Sequence, residues 1–158
     1  MDDTVKDGAA VRVPPPLDFL GAVIAGVLVH GFVAPLPMDL PLVSRIAAGT
    51  VVTAAGLAFM GLAMSLFRRT GQDPKPWATT PEIISSGIYR FTRNPMYVGM
   101  ALIQIAIGIG LANWWVILAV PVSLVLVYLT AIRHEEAYLE RKFGSAYTDY
   151  KMSVRRWL

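Results

Sequence analysis

An all-α integral membrane bundle of four transmembrane helices is the fold class this sequence predicts, with both termini cytoplasmic and a short cytoplasmic C-terminal helical segment. Three observations predict it. Hydrophobic residues make up 55% of the chain and charged residues 16%, against about 45–50% and about 25% in soluble domains. Four apolar segments each approach the length of a membrane span. The basic residues fall almost entirely on one side of those segments.

The elements follow in order. Residues 1–16, MDDTVKDGAAVRVPPP, are polar, mixed in charge and end in three prolines. They read as a disordered tail leading into a stiff polyproline entry, and not as a signal peptide, because the start is acidic and the apolar run comes late. The first span is 17–34, closed by APLP, and the second is 46–67, which carries no charge. The third is 96–112 and the fourth 114–132. A span needs about 20 apolar residues, with a range of about 17–25, and backbone in hydrocarbon must bond internally, so these segments are helices. Gly49, Ala54, Ala58 and Gly61 offer the second span small residues for close packing. Asn113 alone separates spans three and four, which makes a tight antiparallel hairpin. Pro121 predicts a kink in span four. Residues 17–158 form a single domain.

Lys6 and Arg12 precede span one; Arg68, Arg69, Lys75, Arg90 and Arg93 lie between spans two and three; Arg133, Arg141, Lys142, Lys151, Arg155 and Arg156 follow span four. Only Arg45 falls on the other side. The positive-inside rule then places both termini and the loop 68–95 in the cytoplasm. Cysteine is absent and there are two histidines, so no thiolate metal site, cysteine nucleophile or disulfide framework is expected, and no metal is assigned.

Any chemistry is expected in the two polar stretches, 68–95 and 133–158. In the first, Asn94 is a good N-cap and Pro95 suits the first helical position. The free N–H groups of that turn, with Arg90 and Arg93 beside them, make an anion site at the mouth of the bilayer. The competing reading is that these arginines only orient the chain in the membrane. In the second stretch, span four continues as a helix bearing His134, Glu135, Glu136 and Glu140, stops at Phe143-Gly144, and is followed by a short helix from Ser145 with Tyr147 and Tyr150 on one face. Paired glutamates at the end of a membrane helix are costly against lipid and belong in a cavity or against counter-charges. His30 lies about 20 Å beyond the inner end of span one, so it reads as a packing or interfacial residue. His134 reads equally as a proton acceptor or as a cap on its span.

SGIYRFTRNPMYVGM, followed by EEAYLERKFGSAYTDY and a terminal VRRWL, resembles the isoprenylcysteine carboxyl methyltransferase and phospholipid N-methyltransferase superfamily, in the manner of its short bacterial members. The resemblance covers roughly residues 79–158. It implies S-adenosyl-L-methionine as cofactor, bound at the cytoplasmic membrane edge, and a lipophilic or lipidated acceptor arriving from the bilayer of a bacterial inner membrane. It implies that Tyr89, Arg90, Arg93, Asn94, Pro95, Tyr97 and Gly99 form one wall of the cofactor pocket. Glu135 and Glu136, with His134 beside them, form another, and Tyr147, Tyr150 and Arg156 a lid. Asn94 stands where the carboxyl methyltransferases commonly have His, and Arg155 where the family tail often has Pro.

The resulting expectation is in-line methyl transfer, in which alignment in a dry site supplies most of the rate. Arg93 and Arg156 would orient an anionic acceptor, and Glu135 or His134 would deprotonate an amine or thiol. A carboxylate of the isoprenylcysteine type would need no base. No nucleic-acid partner is expected. Two rival readings are a membrane reductase using NADPH, whose relatives tend to carry Arg-Asp in place of Glu135-Glu136, and a non-catalytic membrane protein binding anionic lipid or a partner.

Overall fold

The computed structural model describes residues 8–11 and 13–158. Among them the regular elements are helical, with one isolated bridge between Pro37 and Asn113. The expected disordered tail falls in part on residues 1–7 and 12, which lie outside the described residues. In the described part Ala9 is buried and Val11 packs on the core. Helix α1 runs Pro15–Phe32, opened by a proline in its first turn.

Helix α2 runs Leu42–Thr70 and α3 Pro95–Gly110. The fourth rod is compound: α4 (Trp114–Leu118), α5 (Val120–Val127), a π-turn (Tyr128–Ile132) and α6 (Arg133–Phe143). The break at Ala119 precedes Pro121, which lacks the N–H needed to continue the ladder. Gly144 then turns the chain at φ 55°, ψ −127°, a conformation open to glycine, and α7 (Ser145–Ser153) follows.

Three of these rods, α1, α2 and Trp114–Phe143, are long and apolar enough to cross a membrane. Helix α3 is apolar but has 16 residues, about 24 Å of helix against a hydrocarbon core of about 30 Å. Of the four expected spans, three are thus long and apolar enough to cross, and the other is a shorter apolar helix beside them.

Helix α2 packs chiefly on α3, and α1 packs on α4 and α5. The α2–α3 contact is backbone to backbone. A Cβ on Gly99 would stand 2.8 Å from the Gly56 carbonyl oxygen, and one on Gly56 2.9 Å from that of Gly99. Together with fully buried Ala63 this is the close-packing face. It corrects the expected set: Ala54 and Ala58 are exposed, Gly61 has open space beside it, and Gly49 makes only ordinary contact.

The end of the bundle far from the polar stretches is closed by local bonds. Asn113 Oδ1 accepts from Trp115 N–H at 2.9 Å, and its Nδ2 donates to the Gly26 carbonyl at 3.3 Å. His30 Nδ1 accepts from Leu36 N–H at 3.2 Å, an end-of-helix role. Midway, Gln104 donates to the Val116 carbonyl at 2.9 Å and accepts from Ser123 Oγ at 2.7 Å, so this buried polar pair satisfies itself.

Candidate active site

At the opposite end the loop after α2, the start of α3, α6 and α7 enclose a cavity. Its α3 wall is built from Arg93, Asn94, Pro95, Met96 and Tyr97; α6 contributes Glu135, Glu136, Tyr138 and Leu139; Tyr147 and Tyr150 come from α7. Tyr89 enters from the 3-10 turn Gly87–Arg90, and residues 72–84 complete the rim with Gln72, Asp73, Lys75 and Glu82.

Asn94 occupies the N-cap position of α3, but its side chain makes no capping bond. Its Nδ2 instead donates to the Arg156 carbonyl at 3.0 Å, and Thr92 Oγ1 reaches the same oxygen at 3.1 Å. Arg93 N–H donates to the Arg155 carbonyl at 2.9 Å. These three bonds strap the C-terminal residues across 92–94. Tyr150 Oη donates to the Tyr89 carbonyl at 2.8 Å and fastens α7 over the 3-10 turn.

The strap brings two cations onto one carboxylate. Arg156 forks onto Glu136, Nε to Oε1 at 2.9 Å and Nη2 to Oε2 at 3.0 Å. Arg93 Nη1 shares Oε1 at 2.9 Å. The forked bond raises the Arg156 pKa above its ordinary value. Arg156 also lies 4.7 Å over the Tyr128 ring. Burial pushes the Tyr147 phenol up to about 12, helped by the Glu136 charge, and raises Tyr150 and Tyr89 as well. These phenols are neutral donors at physiological pH.

Glu135 is different. Its Oε1 accepts from Tyr97 Oη at 2.6 Å, and no Lys or Arg among the described residues pairs with it. Two buried donors on the same cavity also lack partners: Arg93 Nε and Gln72 Nε2. A buried unpaired donor costs about 1–3 kcal/mol. The residues lining the cavity thus include one carboxylate without a cation and two side chains, Arg93 and Gln72, each with a buried donor that has no partner, a set that suits a ligand with both cationic and acceptor groups.

Of the residues singled out in the sequence, Tyr89, Arg93, Asn94, Pro95, Tyr97, Glu135, Glu136, Tyr147 and Tyr150 come together on this cavity. Arg156 joins through Glu136. Arg90 is exposed and off the wall. Gly99 sits one turn deeper, against Gly56 and Met60 of α2. His134 lies outside the lining and accepts from Arg133 Nε at 3.3 Å. Sequence reasoning missed Gln72, Tyr138 and the loop 72–84. Tyr138 Oη accepts from Thr80 N–H at 3.2 Å and so pins that loop. No local pattern marks these residues, because a fold-back loop acquires its role only by what it covers.

Known proteins resemble much of this chain. The phospholipid methyltransferase family matches residues 44–146. An uncharacterized protein of Haemophilus influenzae is 41% identical over 63 residues, 40% of this chain and 100% of that protein. The protein-S-isoprenylcysteine O-methyltransferase of Dictyostelium discoideum is 32% identical over 79 residues, 46% of this chain and 30% of that protein. The chain thus spans under a third of the second relative's length. With all but the first two residues of α2, and α3, the compound fourth rod and the Glu135-Glu136 pair inside the matched range, this chain belongs to the phospholipid methyltransferase family of membrane methyltransferases.

Proposed function

We propose that the protein is an S-adenosylmethionine-dependent methyltransferase that acts on a lipophilic acceptor at the cytoplasmic edge of a bacterial inner membrane. The observation that carries this is Glu135: a carboxylate with no cation, held by Tyr97, on a cavity that also carries the unpaired donors of Arg93 and Gln72. S-Adenosylmethionine matches that set, with an ammonium and a sulfonium for the carboxylate and a carboxylate, hydroxyls and ring nitrogens for the donors. In this reading α3 is the fourth crossing, and both termini and the cavity face the cytoplasm, as the distribution of Lys and Arg favours.

Glu135 and Tyr97 hold the cationic part of the cofactor, and Arg93 Nε and Gln72 take acceptor atoms. Glu136 orients Arg93 and Arg156 instead of meeting the cofactor with its own charge. Tyr147 and Tyr150 exclude water from above. When bound, the cofactor supplies an electrophilic methyl group on sulfur. The acceptor is a lipidated or other bilayer-borne molecule, with an isoprenylcysteine-like carboxylate as one candidate; it needs no proton removed if it is a carboxylate, and an amine or thiol acceptor would give its proton to Glu135.

The test is direct binding. Purified protein in detergent is titrated with S-adenosylhomocysteine and, separately, with NADPH. Micromolar binding of the first alone is expected. Binding of NADPH alone would overturn the reading and favour a reductase.

A further inference from the structure

Asp18 stands in the first turn of α1, outside the range 44–146 that the family matches. Its Oδ2 accepts from Thr130 Oγ1 at 2.6 Å, across 112 residues of chain. The same hydroxyl lies 3.0 Å from the Leu126 carbonyl. It has one proton to give, and a charged acceptor at the shorter distance takes it. No cation among the described residues pairs with Asp18.

Thr130 is the middle residue of the π-turn Tyr128–Ile132. Such turns are rare and insert one extra residue into an α-helix. One residue is about 100° of rotation. The consequence reaches the cavity. In α5, just before the turn, the buried positions are Ser123 and Val127. Continued at about 3.6 residues per turn, that face would meet His134 and then Tyr138. With the extra residue it meets Ala131 and Ile132, both fully buried, then Glu135, Glu136 and Leu139, which line the cavity; Tyr138 is on the cavity as well, so the residues the turn exchanges are His134 and Glu135.

We propose that Asp18 is a positioning residue: through Thr130 it holds the π-turn and so sets the rotation of α6 that turns Glu135, and not His134, toward the cavity. Its role rests on the functional reading above only where ligand binding is the readout. An acidic residue in a first helical turn also favours the helix dipole, but that role needs no Thr130. A direct role on a ligand cation would need the charge, which an acceptor tether does not.

Two measurements test this. The chain has no cysteine, so His134→Cys and Glu135→Cys each give a single thiol. A bulky water-soluble maleimide should label position 134 faster than the confined position 135. In the Asp18→Leu or Thr130→Val background the ratio of the two rates should shrink at least about fivefold. A ratio unchanged in both backgrounds overturns the proposal, whether or not the cofactor reading holds. Separately, S-adenosylhomocysteine affinity should fall about tenfold in Asp18→Leu and in Thr130→Val, and no further in the double variant. Asp18→Asn and Thr130→Ser, which keep an acceptor and a donor, should bind within about twofold of the parent. Additive losses, or an Asn variant as weak as the Leu variant, would exclude the tether. Failure of the unsubstituted protein to bind S-adenosylhomocysteine would count against the cofactor alone, and the labelling ratio would still decide the tether.

Discussion

Arg156 and Glu136 form a two-pronged ion pair, Nε to Oε1 at 2.9 Å and Nη2 to Oε2 at 3.0 Å, and Arg93 Nη1 shares Oε1 at 2.9 Å. The two glutamates of one dipeptide therefore have separate duties. Glu136 holds the C-terminal strap to the start of α3; Glu135 keeps only the Tyr97 hydroxyl and, in the proposed reading, serves the ligand. Glu136→Gln should lower thermal stability by about 1–3 kcal/mol, since the amide leaves two guanidinium groups short of an anion. Glu135→Gln should melt like the parent and bind S-adenosylhomocysteine at least about tenfold more weakly, about 1.4 kcal/mol. Thermal melts in detergent with and without ligand separate the two. Equal behaviour of both variants in both measurements would remove the division of labour.

Arg93 lines the cavity with an 8% exposed side chain, one donor on Glu136 and a buried Nε without a partner. Lysine keeps the charge but has no second, fixed donor. Arg93→Lys should cut methyl transfer at least about tenfold while insertion and topology stay intact. Arg90→Lys and Arg68→Lys should be silent, because both side chains are exposed and off the cavity wall. Transfer from labelled S-adenosylmethionine to a lipid extract measures all three.

Gly99 makes a different prediction from its neighbours in the motif. A Cβ there would meet Met60 Cγ at 2.5 Å and the Gly56 carbonyl at 2.8 Å. The first contact can yield by rotating a flexible side chain; the second is backbone and cannot. Gly99→Ala should cost about 1–3 kcal/mol of stability by overpacking, with ligand affinity of the surviving folded fraction unchanged. Folded protein at full yield with lost affinity would instead place Gly99 at the ligand.

Tyr147 is 3% exposed and its phenol is pushed up to about 12. Its unfolded value is about 10. A raised folded value means the folded state keeps its proton longer. The stabilisation is complete below about pH 10 and is lost as pH climbs from there through about 12. Unfolding curves between roughly pH 9 and pH 12 should fall, and the fall should be smaller by about 2–3 kcal/mol in Tyr147→Phe, the remainder belonging to Tyr89 and Tyr150. A parent and variant that fall together would show that another group sets the alkaline limit.

Much was decided by the sequence acting locally. Hydropathy sets where helices run, Pro95 and Gly144 set where they begin and stop, and Pro121 marks the break at Ala119. These outcomes depend on a few neighbouring residues and the bonds their backbone lacks, so they are legible without a fold. The residues of the site were legible as types for the same reason: charges beside an apolar span stand out. Their assignments needed tertiary contacts. Asn94 sits at the predicted cap but spends its amide on Arg156, 62 residues away. Glu136 is claimed by Arg93 and Arg156, 43 and 20 residues away, which frees Glu135. Gly56 and Gly99 meet where Ala54, Ala58 and Gly61 do not, because rotation of α2 against α3 is chosen by the packing of both helices together. The π-turn Tyr128–Ile132 interrupts the helical register before Glu135, and Thr130 within it bonds Asp18, 112 residues away. Local chemistry fixes periods and ends; which face a helix turns, and which charge is left unpaired, is settled by groups that meet only once the chain has folded.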